Sequence, residues 1–107
     1  MAENRVPDMY LRLKARHARL FAAAEAVGEA ARAEGPLGEK EIQLIQLAAA
    51  AAIRSEGAVH SHTRRALGAG ASAEEIRHAL VALVSTIGFP SVVAASSWAD
   101  DIIGKTG

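Results

Sequence analysis

The sequence predicts an all-α protein, a compact bundle of about five helices, and three observations carry that expectation. Apolar residues recur at spacings of three and four along most of the chain. Gly and Pro gather at the points that divide this pattern, and no stretch shows the period-two alternation of a half-buried strand. A chain of 107 residues falls within the size of one domain, so residues 1–107 are read as a single unit.

Asp8, after Pro7, is the expected N-cap of a first helix running to about Glu34, with Tyr10, Leu13, His17, Leu20, Ala24 and Val27 on one stripe. Gly35-Pro36 ends it. From Glu39 to Arg54, Ile42, Ile45, Ala49 and Ala52 form one stripe, and Leu44, Leu47 and Ile53 widen it nearly all round, which points to burial on several sides. Ser55-Glu56-Gly57 is either a break or a glycine inside a continuing helix, since an interior Gly costs only about 1 kcal/mol against Ala. The third helix reaches Leu67 or Ala69, where Gly68-Ala69-Gly70 stops it. Ser72-Ala73-Glu74-Glu75 matches a capping box. Ile76, Ala79, Leu80, Leu83, Val84 and Ile87 carry the fourth helix. Gly88-Phe89-Pro90 ends that helix, with Pro90 placed to begin a fifth that buries Val92, Ala95, Ala99 and Ile102 or Ile103 beside Trp98.

Half the residues are hydrophobic, yet aromatics make up only 4% and alanine supplies much of the remainder. Each helix therefore offers a shallow apolar face, and a small domain built this way is expected to cover those faces with further copies of itself. Lys plus Arg and Asp plus Glu number 12 each, with no run of like charge reaching five or six residues, so neither nucleic acid nor anionic lipid is an expected partner. The longest apolar stretch, Leu47 to Ile53, is far short of the roughly 20 residues of a membrane span, and the polar start from Met1 to Asp8 lacks a signal-peptide core. A cytoplasmic protein is the expectation. The chain has no cysteine, which removes disulfide frameworks, thiolate metal sites and thiol catalysis together.

Ser55, Ala58 and His62 fall at i, i+3 and i+7, so a helix through them places all three along one face. The run Glu41 to Ile45, the alanine-rich stretch to Ile53 and the segment Arg54-Ser55-Glu56-Gly57-Ala58-Val59-His60-Ser61-His62-Thr63-Arg64-Arg65-Ala66-Leu67 resemble the core of the carboxymuconolactone decarboxylase and alkylhydroperoxidase D-like family. So do Gly70 to Ile76 and Ile87-Gly88-Phe89-Pro90, and the resemblance spans about residues 39–103. It implies a helical fold that assembles as a trimer or hexamer. The peroxidase branch carries Cys-x-x-Cys-x-x-x-His with a glutamate about three turns upstream. On that pattern His62 takes the histidine position, Ser55 and Ala58 the cysteine positions and Gln43 the glutamate position. A serine hydroxyl neither attacks a peroxide as a thiolate does nor resolves a sulfenic acid, so thiol peroxidase activity is excluded for this chain. The decarboxylase branch needs no cysteine and is taken to move a proton on a lactone acid with a histidine, a role that His62 fits.

From the residues themselves, His62 is either a general acid or base or a half-buried histidine bonded to a backbone carbonyl. Gln43, on an otherwise apolar helix, needs a partner if buried, and Ser55 or His62 across the helix pair are the expected ones. Ser55 and His62 lie roughly 10 Å apart along one helix, too far for a nucleophile and its base. His60 is expected at a surface or interface. It lies about 200° round the helix from His62, so the two share a metal only through an irregular turn or a second subunit. His17 and His78 are read as solvated or packing residues, Phe89 and Trp98 as core or interface anchors. Arg65 either binds a carboxylate or solvates its helix, as do Arg54 and Arg64. The expected site is therefore His62, Ser55 and Gln43 as catalytic residues, with His60, Ala58 and Arg65 against substrate and with no cofactor or metal. Three functions remain open: a lyase- or isomerase-like enzyme acting on a small carboxylate or lactone, a non-catalytic oligomeric binding or scaffold protein, and a histidine-based metal or ligand binder.

Overall fold

The computed structural model describes residues 6–104; the polar start of the chain up to residue 5 lies outside them. It is all-helical, with α1 (Asp8–Arg16), α2 (Ala18–Ala33), α3 (Glu39–Ala52), α4 (Glu56–Gly68), α5 (Ala73–Val81), α6 (Val84–Ile87) and α7 (Phe89–Ile103). None of these helices is long and apolar enough to cross a membrane.

The α3–α4 hairpin is the centre of the fold, and its turn is built from two end motifs placed back to back. Arg54 N–H donates to Ala51 O and Ser55 N–H to Ala50 O, both at about 3.0 Å. This is the Schellman pattern, with Arg54 as the left-handed residue at φ 55°. A non-glycine residue there costs on the order of 1–2 kcal/mol, partly offset by the bond from the Arg54 guanidinium to Ser91 Oγ at 2.7 Å. Ser55 then N-caps α4, its Oγ accepting from the Ala58 amide at 3.3 Å. The break at Ser55 is therefore real, and α3 ends at Ala52, short of the expected Arg54. The same end motif recurs after α4, where Gly70 at φ 98° supplies the left-handed residue and the Ala71 amide reaches Ala66 O.

Around this hairpin pack α5 and α7. Leu47, Ala50 and Ala51 of α3, Val59 and Ala66 of α4, Ile76 and Leu80 of α5 and Ala95 and Ala99 of α7 form one buried cluster. Alanines at these seams let the helix backbones approach closely, which is why a core with so few large side chains still closes. The buried set on α7, Val92, Ala95, Ala99 and Ile102, is the one expected. On α3 the buried face is Gln43, Leu47, Ala50 and Ala51, and the broad stripe expected there is corrected, with Ile45 53% and Ile53 75% exposed. The capping box at Ser72 and Glu75 is present in both directions. The Ser72 amide first, and Lys40 second, hold the Glu75 carboxyl below its usual range.

Other expectations are corrected. The first helix breaks at His17 (φ −128°, ψ 53°), and its N-cap is Pro7, with Asp8 already helical and making no side-chain cap bond. Residues eleven apart on a straight helix stand roughly 16 Å from each other. The bend instead brings the Tyr10 and Phe21 rings edge to face at 5.4 Å and Lys14 to within 2.9 Å of Glu25. Neither α1 nor α2 buries a residue, leaving Leu20 66% and Val27 70% exposed. The radius of gyration, 14.2 Å, exceeds the roughly 13 Å of a compact chain this long, as an arm lying lightly on the bundle requires. The fourth helix divides at Ala82–Leu83, which turns Leu83 and Ile87 against the core. Pro90 is the second residue of the last helix, after Gly88 in a conformation (φ 91°, ψ 158°) that essentially only glycine adopts.

The two kinds of stabilising contact differ in size. Ser72→Ala, which removes one cap from α5, is expected to lower unfolding free energy by about 1 kcal/mol. Leu80→Ala, which opens a void in the core, is expected to cost about 2–5 kcal/mol. Urea unfolding followed by circular dichroism measures both, and equal losses would contradict this account of the α5 contacts.

Candidate functional site

Six residues before the end of α4, His62 faces back across the hairpin toward α3. Its Nδ1 lies 2.9 Å from Gln43 Oε1, and Gln43 Nε2 donates to Glu39 Oε1 at 2.8 Å. Glu39 in turn stands 3.8 Å from the Arg32 guanidinium. The expected partner of Gln43 is thus His62 rather than Ser55, and the alternative of a backbone carbonyl for His62 is replaced by a side-chain amide.

The chemistry of the chain assigns its protons. A carboxylate only accepts, so Glu39 faces the Gln43 NH2 group and leaves the amide oxygen toward His62. An oxygen there requires that Nδ1 carry the hydrogen. Neutral His62 is therefore the Nδ1–H tautomer, with its lone pair on Nε2, which has no hydrogen-bond partner among the described residues. Nε2 can gain or lose a proton without disturbing Gln43, because Nδ1 donates in both states. Gln43 is only 1% exposed, so both ends of its amide must be paired, and here both are.

His62 is half-buried. Burial first, and the positive charge of Arg65 second, push its pKa below the ordinary 6.5. At neutral pH it is a neutral base. Arg65 is exposed and lies between two grooves, one of about 620 Å³ shared with Tyr10, Phe21, Gly28, Arg32 and Gln43 and one of about 580 Å³ shared with Tyr10, Gly57, Ser61 and Arg64. Arg65 lines both grooves while His62, one turn before it on α4, lines neither; the first groove also carries Glu25, Glu29 and Glu39, and the second Arg64 beside Arg65, so the second is the one whose charge suits a carboxylate.

The other expected site residues are placed apart from this pair. Ser55 spends its oxygen lone pair on the α4 cap, and Ala58 packs against the core. His60 points the other way, its Nε2 3.0 Å from Asp101 Oδ2 of α7, so His60 and His62 do not converge within the chain. His17 sits at the α1–α2 bend, Trp98 is packed on the core, and Phe89 is 69% exposed. Glu39 completes the relay although the sequence does not point to it directly. Its signal is the spacing, four residues before a glutamine on the same helix.

The model of the carboxymuconolactone decarboxylase family matches residues 18–101. The chain belongs to that family. No curated protein and no solved structure matches it. This carboxymuconolactone decarboxylase family member contains no cysteine, and Ser55 and Ala58 stand at the positions that the resemblance assigns to the peroxidase thiols. The family match begins at the first residue of α2 and takes in the whole Glu39–Gln43–His62 chain.

Gln43→Leu removes both bonds of the chain and leaves the half-buried His62 Nδ1 without its acceptor, while the exposed Glu39 carboxylate keeps Arg32 and water. It is expected to lower stability by about 1–3 kcal/mol, read by denaturant unfolding. The depressed pKa of His62 also makes native protein bind fewer protons than unfolded protein between that pKa and 6.5. Its contribution is therefore present above pH 6.5 and lost as pH falls through the folded value. Comparing stability across pH 5–7 for wild type and His62→Asn should show a shallower slope in the variant.

Proposed function

We propose that this protein is a proton-transfer enzyme of lyase or isomerase type that acts on a small carboxylate or lactone, with His62 as the general base. The observation that carries the reading is the Glu39–Gln43–His62 chain, which presents a neutral imidazole with Nε2 unpartnered. A histidine held this way removes a proton from a carbon made acidic by a neighbouring carbonyl, and returns it as imidazolium. Arg65 holds the substrate carboxylate and stabilises the negative charge that builds on the carbonyl side as the proton leaves. Gln43 positions the base, since an amide cannot itself exchange the proton. Ser55 caps α4 through its oxygen and lines neither groove beside Arg65, so its part in this reading is to hold the helix that carries His62. His60 and Ala58 have no part in this step.

The protein works in this reading as a cytoplasmic homo-oligomer, a trimer or hexamer. Support comes from Leu20, Val27, Ile45, Ile53 and Phe89, each more than half exposed in the single chain, bare apolar side chains that further copies of the chain would cover. Light scattering after size-exclusion chromatography should return three or six times the chain mass, and Leu20→Glu with Val27→Glu should lower it.

Activity is tested with a panel of lactones and carboxylic acids in D2O, following exchange of the acidic C–H by proton NMR. Wild type should exchange a member of the panel, and His62→Asn should lower kcat/KM by about 10²–10⁴-fold. Arg65→Ala should raise KM and lower kcat together, since it removes both the carboxylate contact and the stabilisation of the developing charge. The kcat/KM profile should fall on the acid side with a midpoint below pH 6.5. If no compound exchanges and none shifts the His62 ring resonances, the protein is a binding or scaffold member of the family instead.

A further inference from the structure

On the far side of α4 from the relay, a second group of side chains comes together. Glu56 and His60 are four residues apart on α4 and so lie one above the other on the same face. Asp101 reaches the same point from the last turn of α7. One ligand atom from each of the three lies within 4.8 Å of the other two, and the closest pair, His60 Nε2 and Asp101 Oδ2, is 3.0 Å apart. An ion pair between His60 and Asp101 would account for that pair alone. It does not call for Glu56, which adds a second carboxylate and leaves the trio net negative even with His60 protonated.

We propose that Glu56, His60 and Asp101 bind a divalent transition-metal ion across the α4–α7 seam. Two ligands each about 2.1 Å from one metal are about 3.0 Å apart at an octahedral right angle and about 3.4 Å at the tetrahedral angle, so the 3.0 Å between His60 Nε2 and Asp101 Oδ2 needs at most a few tenths of an ångström of opening. Glu56 is exposed, so rotation of its side chain brings its oxygen into range without moving either helix. One imidazole nitrogen and two carboxylate oxygens suit zinc, iron, cobalt or nickel rather than magnesium or calcium, which take oxygen ligands alone. The positive end of the α4 dipole opposes a cation here, but amounts to about half a charge against two full carboxylates, and the negative end of α7 works in its favour. Three protein ligands at a partly open rim leave positions for water, as in metal sites that meet small molecules. The site uses none of the residues of the relay.

The test uses the full chain after dialysis against a chelator, titrated with Co2+ as a spectroscopic probe and with Zn2+ in competition. One Co2+ per chain should bind with visible d–d absorption and be displaced by Zn2+. Glu56→Gln and Asp101→Asn should each weaken binding at least about tenfold, while His62→Asn leaves it unchanged. Glu56→Gln alters only an exposed side chain, so its effect is free of any loss of fold, and a melting curve without metal checks Asp101→Asn. Absence of binding, binding that survives both carboxylate variants, or binding lost with His62→Asn would each overturn the proposal.

Discussion

A primary amide buried in an apolar seam constrains everything around it. Gln43 has two donor hydrogens and an acceptor oxygen, and no water reaches it to satisfy them. It is stable only if a neighbouring group accepts from its nitrogen while another donates to its oxygen. Glu39 meets the first condition from one turn earlier on the same helix, and His62 meets the second from across the hairpin. Rotating the amide to exchange its ends would face oxygen with carboxylate, so the tautomer of His62 follows from the burial of Gln43.

That pairing depends on the hairpin turn. Only Ile53, Arg54 and Ser55 separate α3 from α4, and within that link the Ala49, Ala50 and Ala51 carbonyls of α3 and the Ala58 amide of α4 find partners. Ser55, placed where the family's peroxidases have a thiol, thus carries a local structural duty whatever chemistry it joins. The strain held at Arg54 is the cost of reversing the chain without a glycine, and the contact with Ser91 ties that strained residue to the start of α7.

The all-helical class, the capping box, the stop at Gly70 and the buried stripe of α7 were legible in the sequence, because each rests on residues close together along the chain. Family resemblance located His62 and Gln43 within the motif, and the need of a buried glutamine for a partner linked them. What the sequence could not show depends on distant residues. The exposure of Leu20 and Val27 follows from how lightly the first two helices lie on the bundle, which periodicity does not encode. The break at His17 is stabilised by the Tyr10–Phe21 contact, invisible to any local pattern. The meeting of Asp101 with His60 is set by the packing of α7 on α4 and has no signature in spacing. Ile45 and Ile53 misled because a helix apolar nearly all round reads as buried on every side, while only the face of Gln43, Leu47, Ala50 and Ala51 closes the seam.

The bend at His17 falls immediately before the stretch that the family model describes, and the segment ahead of it supplies Tyr10 to both grooves beside Arg65. Tyr10 and Arg65 are the two residues common to both grooves, and they come from opposite sides of the bend. Substitution in the leading helix can therefore reshape one wall of both grooves and leave the Glu39–Gln43–His62 hydrogen bonds untouched.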